Sequence, residues 1–485
     1  MALTNGVVLQ SFSWYDPQGL WARLAADADD LARLGYTAVW LPPPGKGQNA
    51  YDVGYGVFDL FDLGEFPQKG TVPTKHGTKQ QLVEAVRRLK AAGLQVYVDT
   101  VFNHKNGGEA ELVEAQQVDW GDRNRSVGDP YVIKAYTRFD FAPRAGAYSR
   151  LRWTSKHFDA VSYDGNHPER GGSKLFRLKN KPFETGVSLE HGNYDYLQAS
   201  DVDTSDAEVQ ADLKLWGEWI VNTLGVDGFR IDAVKHIRAL FFRDWLRDVR
   251  GRFPGRELFA FGEYWDWENV DALHWYLGRT EGGMSLLDVP LHVKFRTASV
   301  SGSGFDMRTL FDRTLVREQP ALAVTFVDNH DTQPCQALES WVEPWFKPSA
   351  YALILLRRDG YPCVFAADLR ESDYGEGRRW VKLHDHSFLV NRFLDARRRY
   401  NHGNQHDYFD HPNTIGWVRT GDAEHHGAMA VLMTNGAAGS KWMNVYRPGA
   451  TFTDVTGHVR GTVTANEDGW AQFTCNERSV SVWVH

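Results

Sequence analysis

Residues 226–236 read VDGFRIDAVKH, and the fold is decided by how they are understood. Val226, Phe229 and Ile231 are apolar, Gly225 and Gly228 punctuate the run, and an amphipathic segment follows over 237–251, which predicts a buried strand leading into a helix. Arg230 stands two residues before Asp232, so the period of a strand points both side chains to the same face. An arginine beside a carboxylate favours its charged form, which suits a nucleophile. Taken alone, R-x-D reads first as a buried structural ion pair. Its meaning depends on the other strands.

Seven further apolar runs, 6–12, 38–41, 95–101, 258–263, 285–289, 322–327 and 361–366, bring the predicted strands to eight. Between them lie helical patterns, among them 21–34, 80–92, 207–224, 237–250, 348–357 and 388–400. Strands apolar on both faces, alternating with helices, predict an α/β fold: a parallel (β/α)8 TIM barrel ringed by helices. The rival, a doubly wound open sheet, lacks a Gly-rich phosphate fingerprint after the first strand. The alternation breaks at 105–206, a long polar, Gly-rich stretch predicted to be a domain inserted after the third strand. After Tyr400 short strands separated by turns such as Asn435-Gly436 and Asp468-Gly469 predict a C-terminal antiparallel β-sandwich domain. The barrel is thus expected to comprise 1–104 and 207–394, with the C-terminal domain at 395–485.

The chain has 485 residues, enough for two or three domains, and a net charge of -8 from 54 basic and 62 acidic side chains. That balance argues against a nucleic-acid partner. No run reaches the length of a membrane span, and no signal-peptide pattern opens the chain. Its three cysteines, Cys335, Cys363 and Cys475, form no disulfide framework or metal-ligand spacing, which suits the cytoplasm and is equally compatible with secretion. A monomer is the expected state.

In such a barrel chemistry sits where strands end. The third strand delivers Asp99, Asn103 and His104; the fourth Arg230, Asp232, Lys235 and His236; the fifth Glu263; the seventh His330 and Asp331. Three carboxylates, Asp232, Glu263 and Asp331, are therefore expected at one mouth. Crowded like charges raise one another's pKa and cost stability. A reaction needing one ionised nucleophile and one protonated acid accounts for them.

These motifs carry a resemblance. DTVFNH (99–104), GFRIDAVKH (228–236), GEYW (262–265) and FVDNHD (326–331) stand in the order of the four signature regions of the α-amylase family of glycoside hydrolases. QSFSWY (10–15), DVGYGVFDLFDLGEF (52–66), GNYDYLQASDVD (192–203) and FKPSAYALIL (346–355) extend the likeness over nearly the whole chain, towards the bacterial liquefying type and its intracellular fungal relatives. The resemblance implies endo-hydrolysis of α-1,4-glucosidic bonds in starch or glycogen, with Asp232 as nucleophile, Glu263 as acid/base and Asp331 stabilising the transition state. Retention would set the first two carboxylates about 5–5.5 Å apart, with Arg230 holding Asp232 ionised and burial holding Glu263 protonated. It further implies that His104 and His330 bond sugar hydroxyls, that Tyr55 stacks beneath the ring near Trp14, and that Lys235 and His236 face the leaving side. A maltogenic exo-hydrolase or transglycosidase on the same scaffold, and a non-catalytic glucan-binding protein, are the alternatives.

A calcium site is implied by the same likeness, formed by Asn103, Asp195, Asp201 and the backbone carbonyl of His236, all hard oxygen donors. Asp159 and Asp203 match positions of a further calcium and sodium, with Glu184 standing where an Asp is usual. Asn413 replaces an Asp associated with a metal between the barrel and the C-terminal domain, so no ion is expected there. Ser13 stands where the bacterial relatives commonly carry Glu.

Overall fold

The computed structural model describes residues 5–485. Eight parallel strands close into a barrel: Val8–Gln10, Ala38–Leu41, Gln95–Thr100, Gly228–Ile231, Phe259–Gly262, Ser285–Leu287, Ala323–Phe326 and Tyr361–Phe365. Each pairs with its sequence neighbours, and Val8 closes the ring by pairing with both Ala38 and Cys363. All eight fall inside the predicted runs. The ends are shorter because pairing stops where the chain turns: Asp288 leaves the sixth strand to cap helix Val289–Ser301, its carboxylate accepting from Leu291 N at 3.1 Å.

The fourth strand shows why its sequence is what it is. A Cβ at Gly228 would lie 2.1 Å from Phe259 O, so only glycine lets the fifth strand approach. The strand enters from helix Ala207–Leu224, which Asp206 caps through Glu208 N and Val209 N and which Gly225 ends in the left-handed region, φ 70°. Phe229 and Ile231 are buried in the surrounding core.

The 105–206 stretch folds as an antiparallel sheet hung directly on the third barrel strand. Its strands run, in spatial order, His104–Lys105, Ser200–Val202, Phe158–Val161, Leu175–Leu178, Glu109–Val118 and Tyr131–Arg138. Pairing of Asp201 with His104 brings the end of the insertion back beside Asn103. The C-terminal region packs a six-stranded antiparallel sheet against the ribbon Gly439–Asn444 and Trp470–Cys475, burying Val418, Leu432, Met443, Phe473 and Trp483 between them. One further ribbon, Ser372–Glu376 with Arg379–Leu383, follows the eighth strand. Its mixed sequence carries no clear strand alternation.

Candidate active site

The site is organised by Arg230, which is fully buried. Register sets it between Asp99 on the third strand and Phe261 on the fifth, one residue before the bend that releases Asp232 and two before Glu263 in pairing order. Nη1 donates to Asp232 Oδ1 at 2.7 Å and to both oxygens of Asp99 at 3.0 Å, while Nη2 pairs with Glu263 Oε2 at 2.7 Å. Asp99 also accepts from Trp40 Nε1 at 2.9 Å and from the Tyr55 hydroxyl at 2.7 Å. One guanidinium thus spans three carboxylates from three parts of the chain.

Arg230 stands beside Asp232 as expected and favours its charged form, but it does not serve Asp232 alone: its fork binds Glu263 as closely, because a planar five-donor group on a central strand reaches both neighbours. The difference between the acids comes from the balance around each. Burial raises the Asp232 carboxyl to about 6 against the pull of Arg230. Burial also raises Glu263, opposed by Arg230 and helped by the charge of Asp232. Asp331 goes well above the carboxylate range through burial and then the charge of Glu263. Acids this close cannot all ionise at once, so the three share protons and titrate as one interacting set rather than independently.

Asp232, Glu263 and Asp331 line one cavity of about 610 Å³ together with Trp14, Tyr55, Lys235, His236 and Trp265. Lys235 Nζ reaches Glu190 Oε1 and Trp265 O, both at 2.8 Å, and the His236 Nδ1 lies 2.7 Å from Tyr194 O. His330 and His104 are placed differently. Both are 1% exposed or less and stand behind the wall. His330 stacks on Tyr55 with ring centroids 4.8 Å apart, and Gln10 Nε2 donates to its Nδ1 at 2.9 Å, which leaves the proton on Nε2, 3.3 Å from Asp331 Oδ2. Burial, then Arg230, keeps this imidazole neutral. His104 Nε2 donates to Tyr55 O at 2.8 Å, with Gln198 Nε2 at 3.0 Å. Gln10 is the position that sequence reasoning passed over, and Asp99, named at its strand end in DTVFNH, was given no role there. Ser13 turns away, its hydroxyl donating to Asp16 at 2.6 Å.

Beside the mouth the insertion gathers a second set of acids. Asp159, Asp195 and Asp201 each present an oxygen within 4.8 Å of the others, and Asp159, Glu184 and Asp203 do the same. Asn103 Oδ1, Asp159 Oδ2 and Asp201 Oδ2 are buried without a hydrogen-bond partner among the described residues. Burial, then the charge of Asp195, raises Asp159 to about 10. Orphaned oxygens and mutual repulsion fit a resident cation with hard-oxygen preference. The second group fits less well: both Glu184 oxygens accept from Thr204 Oγ1 at 2.6 and 2.7 Å, and Asp203 pairs with Lys181. At the barrel's contact with the C-terminal region, Asn413 Nδ2 donates to Ser303 O at 2.8 Å and Asn435 Nδ2 to Gly302 O and Phe305 O at 2.8 Å. Amide donors there face the carbonyls a cation would need, and the donor set does not fit one.

The family model of the α-amylase catalytic domain matches residues 13–368, and a model of the α-amylase C-terminal region matches 430–484. The chain belongs to the α-amylase family of glycoside hydrolases. It is 50% identical over 99% of its length to an α-amylase of Geobacillus stearothermophilus, covering 87% of that protein. It is 48% identical, over 99% of its length and 93% of the other, to a glucan 1,4-α-maltohexaosidase of Bacillus sp. (strain 707). A cytoplasmic α-amylase of Escherichia coli (strain K12) is 42% identical over 99% of both chains.

Proposed function

We infer that this family member is an endo-acting α-amylase cleaving internal α-1,4-glucosidic bonds of starch or glycogen with retention. The observation that carries the reading is the single guanidinium joined to both Asp232 and Glu263 at 2.7 Å, with Asp331 on the same cavity wall. One guanidinium bridging both carboxylates keeps them close together, which supports the retaining geometry, in which the two acids stand about 5–5.5 Å apart.

In the first step the ionised Asp232 attacks the anomeric carbon while the bond to the leaving glucosyl oxygen breaks and Glu263 gives that oxygen its proton. A β-linked glycosyl ester results. Water then gives a proton back to Glu263 and attacks the same carbon, the ester bond breaks, and Asp232 leaves as carboxylate with the product in the α configuration. Asp331 opposes the positive charge that builds on the ring. Arg230, Asp99 and Tyr55 are positioning residues, and His330 orients Tyr55 and Asp331.

Trp14, Tyr51 and Trp265 line the same cavity as the acids and offer flat faces on which successive glucosyl rings can stack, which supports binding of an internal stretch of glucan. The Asn103, Asp159, Asp195 and Asp201 oxygens would hold Ca²⁺, pinning the insertion to the barrel end that carries His236. A cytoplasmic setting is favoured by the relative named for it and by the free thiols Cys363 and Cys475; no described helix is long and apolar enough to cross a membrane. Chromatography of early products decides the reading: a broad ladder of maltooligosaccharides of α configuration is expected. A single short product from the start would replace it with the exo-acting alternative, the more so since one relative is named a maltohexaosidase.

A further inference from the structure

Far from the mouth, where the last barrel helix, Ser387–Tyr400, runs into the C-terminal sheet, two loops are locked together by glycines. Gly403 and Gly421 both lie in the left-handed region, at φ 73° and 70°, and a Cβ on Gly403 would stand 1.8 Å from Gly421 O. Gly421 N donates to His402 O at 3.1 Å, and Asp422 N donates to His425 O at 2.9 Å. The backbone therefore fixes His402 against the 422–425 turn. Their imidazoles stack with centroids 3.5 Å apart and planes 2° from parallel.

His402, Asp422 and His425 each offer a ligand atom within 4.8 Å of the other two, the one such group with two imidazoles among the described residues. The roles of the individual atoms are already sorted. His402 Nε2 lies 2.9 Å from Arg398 O, an acceptor, so it carries the proton and leaves the Nδ1 lone pair facing Asp422 Oδ2 at 4.0 Å. A backbone carbonyl on the far nitrogen is how metal-ligating histidines are held in the required tautomer. Asp422 Oδ1 accepts from Glu424 N at 3.0 Å and His425 N at 2.8 Å, which fixes the carboxylate and leaves Oδ2 turned to the imidazole. The His425 side chain, 38% exposed, is the outer ring; its Nδ1 lies 3.1 Å from Asp422 Oδ1, an acceptor, which places the proton on Nδ1 and leaves the Nε2 lone pair for an ion.

We propose that His402, Asp422 and His425 form a binding site for a divalent transition ion of the zinc, nickel or copper class. Two imidazoles and one carboxylate suit such ions and suit Ca²⁺ poorly, so this site and the acidic cluster take different metals. Because His402 follows the barrel's last helix and the other two ligands sit on a C-terminal hairpin turn, a bound ion cross-links the two regions and stabilises the chain by mass action.

The test uses the full chain, stripped with chelator and returned to excess Ca²⁺ so that the acidic cluster is satisfied. Calorimetric titration with Zn²⁺ is expected to show one micromolar site per chain, and His425→Ala and Asp422→Asn each to weaken it at least tenfold. Both substitutions lie on an exposed turn, and unchanged hydrolysis of a maltooligosaccharide confirms that the variants are folded. On the unaltered protein, Zn²⁺ but not Ca²⁺ is expected to protect His402 and His425 from acylation by diethyl pyrocarbonate, located by mass spectrometry. Binding weaker than millimolar, equal affinity in both variants, or unprotected histidines would each overturn the site.

Discussion

The mouth of the barrel and the acidic cluster beside it solve the same electrostatic problem in opposite ways. Each brings three or more buried carboxylates together, which on its own is unfavourable. At the mouth the chain supplies its own counter-charge: Arg230 sits among Asp99, Asp232 and Glu263. In the insertion Asp159, Asp195 and Asp201 form no ion pair among the described residues, and oxygens of Asn103, Asp159 and Asp201 go unbonded. An internal cation leaves the carboxylate faces open to substrate, since it approaches from beneath. A cluster without one has room for a cation from outside, which would then hold two chain segments together.

The comparison can be broken most forcefully at the mouth. Glu263→Gln keeps the shape and the hydrogen bonds yet cannot return a proton, so kcat is expected to fall roughly 10²–10⁴-fold, while maltooligosaccharide binding persists in calorimetry. An active variant would remove the acid from the scheme. Arg230→Met leaves three buried acids without their partner and is expected to cost about 3–5 kcal/mol in denaturant unfolding. A near-neutral result would mean that the acids are relieved some other way.

Chelation probes the other region. Removing divalent cations is expected to lower the melting temperature of the native chain, and readdition of Ca²⁺ to about 100 times its Kd to recover about 2.7 kcal/mol. If chelator changes nothing, the cluster is completed by protons instead. A smaller effect follows from Asp232, whose carboxyl is raised to about 6 in the fold. A carboxyl raised on folding contributes stability below its unfolded value, and that contribution is lost as pH rises through about 6. Asp232→Asn is therefore expected to gain about 3 kcal/mol near pH 7, to lose that gain below about pH 4, and to be inactive throughout. The acid limb of native activity should fall through the same midpoint near 6. Equal stability of variant and parent at pH 7 would show that Arg230 fully compensates the charge.

The smallest change belongs to the barrel's contact with the C-terminal region, where amides do what ions do elsewhere. Asn413→Asp removes the donor to Ser303 O and is expected to cost about 1 kcal/mol in the absence of divalent ions. Recovery on adding Ca²⁺ would sharpen the contrast, because one carboxylate would then suffice to convert an amide-bonded contact into a cation site.

Much of this was legible in the chain. Apolar runs bounded by glycine, such as those around Phe229 and Phe261, mark barrel strands because burial on both faces leaves few polar positions, and Arg230 stands out as the exception. DTVFNH, GFRIDAVKH, GEYW and FVDNHD mark their ends. Asp99 was harder to weigh, since its partners Trp40 and Tyr55 lie 59 and 44 residues away, with Arg230 131 residues on. Nothing local distinguishes a hub from a capping aspartate. The hidden places of His104 and His330 depend on how Tyr55 folds over them, which no motif encodes.

The order of residues alone determined the eight strands, the insertion after the third and the acids brought to one end, because periodicity and strand direction are local properties repeated along the chain. Only the tertiary structure decided that one arginine serves three carboxylates, that the insertion's acids are left short of partners, and that His402 meets His425. Those are questions of charge and distance between segments, and they have no answer until the barrel closes.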